Sequence, residues 1–163
     1  MSGGSHILRV DQEQPGDVIG KDRTDLEAQI ETTLTDCDAV ILSDYGKGIF
    51  NPDYTQRVIQ KAKSANLFVT VDPKGRDYSK YKGANLLTPN LSELQAAVGR
   101  VLNTDAEIIE AAREIISLCD LTAILVTRSQ DGMSLIDKDN ALHIPTHALE
   151  VYDVSGAGDT VIA

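Results

Sequence analysis

Ala39-Val40-Ile41-Leu42-Ser43-Asp44 is a short apolar run that ends on polar residues, and three later stretches repeat its form. They are Leu67-Phe68-Val69-Thr70-Val71-Asp72, Asn85-Leu86-Leu87-Thr88-Pro89-Asn90 and Ala123-Ile124-Leu125-Val126-Thr127-Arg128. Runs that are apolar on both faces suit inner strands of a parallel sheet covered by helices on each side. Helical patterns lie between them. Residues 52–65 carry Val58, Ile59 and Ala62 at helical spacing, with Pro52 suited to a first turn. Residues 91–98 form a shorter pattern with Asn90 or Ser92 as N-cap. Residues 105–119 align Ile108, Ile109, Ala112, Ile115, Ile116 and Cys119 in one stripe, and residues 24–34 form a weaker pattern. This alternation predicts an α/β fold: a mostly parallel sheet, helices on both faces, right-handed crossovers. Residues 133–136 and 141–144 flank the polar turn Asp137-Lys138-Asp139-Asn140 and predict a hairpin, while Ile7, Leu8 and Val10 predict one more strand.

Ligands of such sheets bind beyond the carboxyl ends of the parallel strands. That rule brings Asp44, Asp72, Asn90 and Arg128 to one rim. It locates a site without naming its chemistry.

The composition narrows that chemistry. The chain has 163 residues, enough for one domain with a real core, and its 42% hydrophobic and 25% charged content is that of an ordinary globular protein. A net charge of −10 and only 4% aromatics argue against a nucleic-acid surface. An anionic ligand would need local donors rather than a general positive field. Cys37 and Cys119 lack CxxC spacing and read as buried structural thiols in a reducing compartment. The N-terminal residues lack the pattern of a signal peptide, and no apolar run reaches membrane-spanning length, so the expected location is the cytoplasm. His143 and His147 are four apart, but Pro145 breaks the helix that would align them as metal ligands.

The strongest local signal is Val154-Ser155-Gly156-Ala157-Gly158-Asp159-Thr160. Two glycines separated by Ala allow successive N–H groups to point at one anion, and a helix starting near Gly158 would add its dipole. Asp159 would then stand beside a transferring phosphate, placed to accept the proton of an attacking hydroxyl. The bland alternative is a Gly-rich turn into a helix. Dinucleotide binding fails, because Val161 occupies the third glycine position of GxGxxG and too little chain follows for a βαβ unit.

Asp153-Val154-Ser155-Gly156-Ala157-Gly158-Asp159 resembles the C-terminal signature of ribokinase-like (PfkB) sugar kinases. The resemblance implies that Asp159 is the catalytic base and that the Gly156, Ala157 and Gly158 amides form an anion hole. Asn90-Leu91-Ser92-Glu93 is similar to the family's NxxE motif, which implies contact with ATP phosphates and, through Glu93, with magnesium-bound water. A capping box is its structural alternative. Thr127 and Gly132 match a nucleotide-binding VTxGxxG segment, from which Arg128 and Ser129 depart. Lys74 could reach a phosphate or stand in solvent. Asp44 and Lys47 are either substrate contacts or a turn acid and a surface cation. Asp153 resembles the acid near a monovalent-cation loop.

Ser43-Asp44-Tyr45-Gly46-Lys47-Gly48, Asp72-Pro73-Lys74-Gly75, Leu87-Thr88-Pro89-Asn90-Leu91-Ser92-Glu93 and Glu150-Val151-Tyr152-Asp153 narrow the resemblance to the kinase part of bifunctional heptose enzymes. It runs from about Leu8 to Ala163, with the motifs in consistent order. It implies phosphorylation of D-glycero-β-D-manno-heptose 7-phosphate at O1, on the route to ADP-heptose and lipopolysaccharide. The implied partners are that phosphorylated sugar and ATP, not nucleic acid or membrane, with a homodimeric parent enzyme. Fructokinase or ribokinase activity, or a non-catalytic nucleotide-binding module, are the competing readings. The family pattern also implies that residues 1–163 are the middle to C-terminal part of a kinase domain truncated at both ends. The lid, the Gly-Asp segment and a nucleotidyltransferase domain are then absent, and the isolated piece is expected to be inactive.

Overall fold

The computed structural model describes Gly16 and residues 20–146. Helix α1 (Gly20–Thr33) leads to strand β1 (Ala39–Ser43), α2 (Pro52–Ser64) and β2 (Phe68–Asp72). A short β3 (Leu86–Leu87) follows, then α3 (Leu91–Val98), α4 (Asp105–Cys119), β4 (Ala123–Thr127), β5 (Met133–Asp137) and β6 (Ala141–Ile144). The six strands form one sheet in chain order. The first four are parallel, and β5 and β6 add an antiparallel hairpin to β4. The strand expected at Ile7, Leu8 and Val10 lies outside the described residues.

Local sequence explains the helix boundaries. The Asn51 side chain accepts from the Tyr54 N–H, and Pro52 occupies the first turn, where its missing N–H costs nothing. Thr104 and Glu107 form a capping box at the start of α4, and Asp120 ends that helix in a left-handed conformation. Helix α1 has no buried residue, in keeping with its weak pattern. It is tied to α2 by ion pairs of Glu27 with Arg57 and Glu31 with Lys61.

The inner strands bury one face under the helices, β2 also buries Thr70 on the other, and β6 is exposed throughout. Leu42, Val69, Val71, Leu87, Ile124, Val126 and Ile136 are buried on one face, packed with Val58, Ile59 and Ala62 of α2 and Ile108, Ala112 and Ile116 of α4. Right-handed crossovers in a sheet that advances strand by strand place α2 and α4 on the same face. The opposite face carries exposed Ile41, Phe68, Leu135 and Leu142. Of the two helical layers expected, the described residues therefore supply one.

The thiols differ from each other. Cys119 is buried and donates to the Tyr78 carbonyl at 3.3 Å, and burial pushes its pKa up to about 11. Cys37 is only half-buried, against the expectation of two buried thiols. No helix among the described residues is long and apolar enough to cross a membrane.

Ile124 is fully buried in the middle of the sheet, whereas Leu118 is exposed on α4. Ile124→Ala is expected to lower stability by about 2–5 kcal/mol, and Leu118→Ala to change it by no more than about 0.5 kcal/mol. Urea denaturation of the two variants checks the contrast, and equal losses would contradict the assignment of the core face.

Candidate functional site

The parallel ladder continues past the strand ends and builds the expected rim. The Asp44 N–H donates to the Asp72 carbonyl at 3.0 Å, Thr88 N–H to Val71 at 3.0 Å, and Thr127 N–H to Pro89 at 3.0 Å. Asn90 bridges to Thr127. Asp44, Asp72, Asn90 and Arg128 thus stand at neighbouring strand ends, because pairing obligations of buried backbone groups hold the ends level.

Asn90 and Glu93 open α3 as a capping box. The Asn90 Oδ1 accepts from the Glu93 N–H at 2.9 Å and from the Ser92 hydroxyl at 2.6 Å. The Asn90 N–H donates to Glu93 Oε2 at 3.0 Å. The other carboxylate oxygen, Oε1, lies 3.0 Å from Lys74 Nζ. That hydrogen bond and the Glu93 charge raise the Lys74 pKa, so the ammonium stays charged. Leu91 is the first residue of α3 and packs partly against the core. The motif is therefore both a cap and a carboxylate already facing a cation, and the two sequence readings of it are compatible.

Asp44 holds its own turn, one of the two roles the sequence left open for it, and is enclosed. Its side chain is only 3% exposed, and Lys80 Nζ lies 2.6 Å from Oδ2. The Tyr81 hydroxyl donates to the same oxygen at 2.7 Å, and the Gly46 N–H donates to Oδ1 at 2.7 Å. Burial pushes this carboxyl's pKa up, but the hydrogen bonds from Lys80, Tyr81 and Gly46 outweigh it and hold the pKa below the usual range. Gly46 turns through φ 69° to offer that N–H, a conformation glycine adopts without strain. Lys80 and Tyr81 belong to a short helical turn, Ser79–Tyr81, between β2 and β3. Sequence reasoning passed over both. The only signal in the sequence was an aromatic residue beside a Lys in a loop. Lys47 lies 5.8 Å from the Tyr45 ring centre, at the outer edge of the same loop.

Thr127 ends β4 beside Asn90. Gly132 has a structural reason of its own: at φ 80°, an added Cβ would collide with the backbone of Ile144 and Thr146. Arg128, which departs from the expected segment, is turned toward α4 and the hairpin. Its guanidinium lies 2.7 Å from Asp105 and donates to the Ser134 hydroxyl at 3.2 Å. His143 Nδ1 sits 2.7 Å from that hydroxyl. Asp153, Gly156, Ala157, Gly158, Asp159 and His147 lie outside the described residues. Among the described residues no group of three or more His, Cys, Asp or Glu converges as a metal cluster. Open hollows beside α2 and along α4 lie away from this rim.

A carboxyl with a lowered native pKa adds stability that is fully present above its unfolded value, 3.8, and is lost as pH falls through the lower native one. Asp44→Asn is expected to cost about 1.5–3 kcal/mol near neutral pH. The gap to the native chain should narrow as pH falls below 3.8. Denaturation at a series of pH values measures it, and a gap that widens on acidification would contradict the network.

The model of the pfkB family carbohydrate kinases matches residues 15–163. The bifunctional protein HldE of Rhodospirillum rubrum is 44% identical over 99% of this chain, which covers 33% of that relative. HldE of Haemophilus influenzae is 48% identical over 100% of this chain, again 33% of the relative. The chain thus spans about a third of the length of these curated relatives. Among solved structures, phosphofructokinase-2 from Escherichia coli in complex with potassium superposes with a TM-score of 0.73 at 20% identity, covering 90% of this chain and 48% of that one. Ribokinase of Arabidopsis thaliana with ribose and ATP gives 0.70 at 22% identity, covering 81% and 43%. These likenesses carry the ribokinase-like fold, and the family match carries the rest: the chain belongs to the pfkB family of carbohydrate kinases.

Proposed function

We propose that this chain supplies the nucleotide-facing part of an ATP-dependent sugar kinase whose acceptor is D-glycero-β-D-manno-heptose 7-phosphate. The product would be the 1,7-bisphosphate, on the way to ADP-heptose and lipopolysaccharide. The observation that carries the kinase reading is the rim pair of Glu93 and Lys74 beside the capped start of α3. There an ammonium and helix N–H groups are available to phosphate, and a carboxylate is available to a cation. The heptose reading rests on the motif stretches 43–48, 72–75, 87–93 and 150–153 and on the identity to HldE relatives.

In this reading Asp159 takes the proton of the sugar O1 hydroxyl as that oxygen bonds to the γ-phosphorus and the bond to ADP breaks. The Gly156, Ala157 and Gly158 amides face the charge that grows on the phosphoryl oxygens. Asn90, Leu91, Ser92, Thr127 and Gly132 line the nucleotide, and Lys74 reaches its phosphates. Magnesium would supply charge neutralisation of the phosphates, and Glu93 would hold it through water, since its Oε1 already faces a positive group. Asp44 and Lys47 are assigned to the sugar side, where Asp44 would act as a fixed acceptor held by Lys80 and Tyr81. Asp153 is assigned to a monovalent cation, from which no step is derived. The relatives are about three times as long as this chain, so the activity is proposed for an enzyme that carries it.

Asp159→Asn in an active kinase carrying this segment should lower kcat by a factor of about 10²–10⁴, the range for losing a general base, while ATP binding is retained. Unchanged turnover would remove Asp159 as base. Turnover measured side by side on heptose 7-phosphate, fructose and ribose should favour the heptose. A higher kcat/KM on either unphosphorylated sugar would replace it.

A further inference from the structure

We infer that Tyr81 is a positioning residue for nucleotide binding: its buried hydroxyl joins Asp44 to the backbone of Lys74 and so sets where the Lys74 ammonium meets Glu93. The inference rests on the reading of Lys74 as a phosphate contact and adds a residue to it. Tyr81 has no exposed surface. Its hydroxyl donates to Asp44 Oδ2 at 2.7 Å and accepts from the Lys74 N–H at 3.0 Å. One oxygen therefore ties the end of β1 to the loop after β2. From Lys74 the connection continues through Nζ to Glu93 Oε1 at 3.0 Å, and from Glu93 Oε2 to the Asn90 N–H at 3.0 Å. Asp44 also holds the Gly46 N–H, so the β1 loop, the β2 loop and the start of α3 share one chain of contacts.

No common side chain replaces this hydroxyl. It donates a hydrogen bond to a carboxylate and accepts one from an amide N–H at the same point, where burial keeps water from substituting. Burial pushes the Tyr81 pKa far above the usual phenol range, and the adjacent Asp44 adds to the rise, so it remains a donor at every working pH. Lys80, the cation paired with Asp44, lies 5.0 Å from the Tyr81 ring centre, and the Tyr78 ring packs against that ring at 5.9 Å. The ring is thus clamped on two sides, which fixes the hydroxyl. Lys74 is different: its side chain is 55% exposed and has four flexible bonds. Its ammonium stays at the rim because its backbone is anchored and its tip is paired, and Tyr81 supplies the anchor.

The test is a double-mutant cycle in an active kinase carrying this segment, with KM for magnesium-ATP and kcat as readouts. Tyr81→Phe is expected to raise that KM about fivefold, with kcat changed by less than about twofold, the size of coupling usual within one hydrogen-bond network. Lys74→Ala should raise it at least as much, and Tyr81→Phe added to Lys74→Ala should change nothing further. If Lys74→Ala alone leaves KM unaltered, the phosphate role of Lys74 falls, and this inference with it. If Lys74→Ala raises KM but Tyr81→Phe has no effect or adds independently, the phosphate role stands and Tyr81 as its positioning residue is overturned. Should Tyr81→Phe fail to fold, amide hydrogen exchange on the unmutated chain decides. The Lys74 N–H should exchange at least about tenfold more slowly than an unprotected loop amide, and rapid exchange would overturn the anchor.

Discussion

Register is the constraint on which the rest of this structure depends. The inner strands bury one face under α2 and α4, so a slip of one residue would turn Val69, Val71, Ile124 and Val126 away from it together. The cost of that slip is several buried side chains at once, far more than any rim contact contributes. Once register is set, the strand ends are set as well. Asp44 pairs with Asp72, and Asn90 with Thr127, because these residues follow directly from strands whose alignment the core has decided.

The rim then has to manage its own charges. In a chain with a net charge of −10, Asp44, Asp72 and Glu93 gather at one edge of the sheet. The structure places Lys80 on Asp44 and Lys74 on Glu93, and Tyr81 connects the two pairs. The pairs have different physical characters. Asp44 with Lys80 is sheltered, and loss of either partner would strand a buried charge. Lys74 in its pair with Glu93 is more than half exposed and Glu93 partly so, and the pair contributes correspondingly little to stability.

Much of the architecture was legible in the sequence. The four apolar runs became the four parallel strands, although the third pairs over only Leu86 and Leu87 because Pro89 follows so closely. The helix expected over residues 105–119 appears with those bounds, since an apolar stripe and a capping box agree there. The weak pattern at residues 24–34 belongs to a helix that starts earlier, at Gly20, and buries no residue. The hairpin was evident from its polar turn, where Asp137 Oδ1 accepts from the Asp139 and Asn140 N–H groups. Less visible was the part played by each rim residue. Asp44 read as either a substrate contact or a turn acid and is enclosed while holding its turn, Gly132 read as a nucleotide residue and also answers to steric necessity, and Arg128 read as a residue of the rim and turns to Asp105.

The sequence by itself determined the strand and helix rhythm, the rim that this rhythm creates, and the family to which the motifs belong. These are local or ordered properties, since periodicity, caps and motif spacing are written along the chain. Only the tertiary structure decided which cation meets which carboxylate. Tyr81 and Asp44 are thirty-seven residues apart, and Lys74 and Glu93 nineteen, so nothing in their neighbourhoods announces the pairing. It follows from the packing of β1, β2 and α3 against one core, which brings distant loops within hydrogen-bond reach.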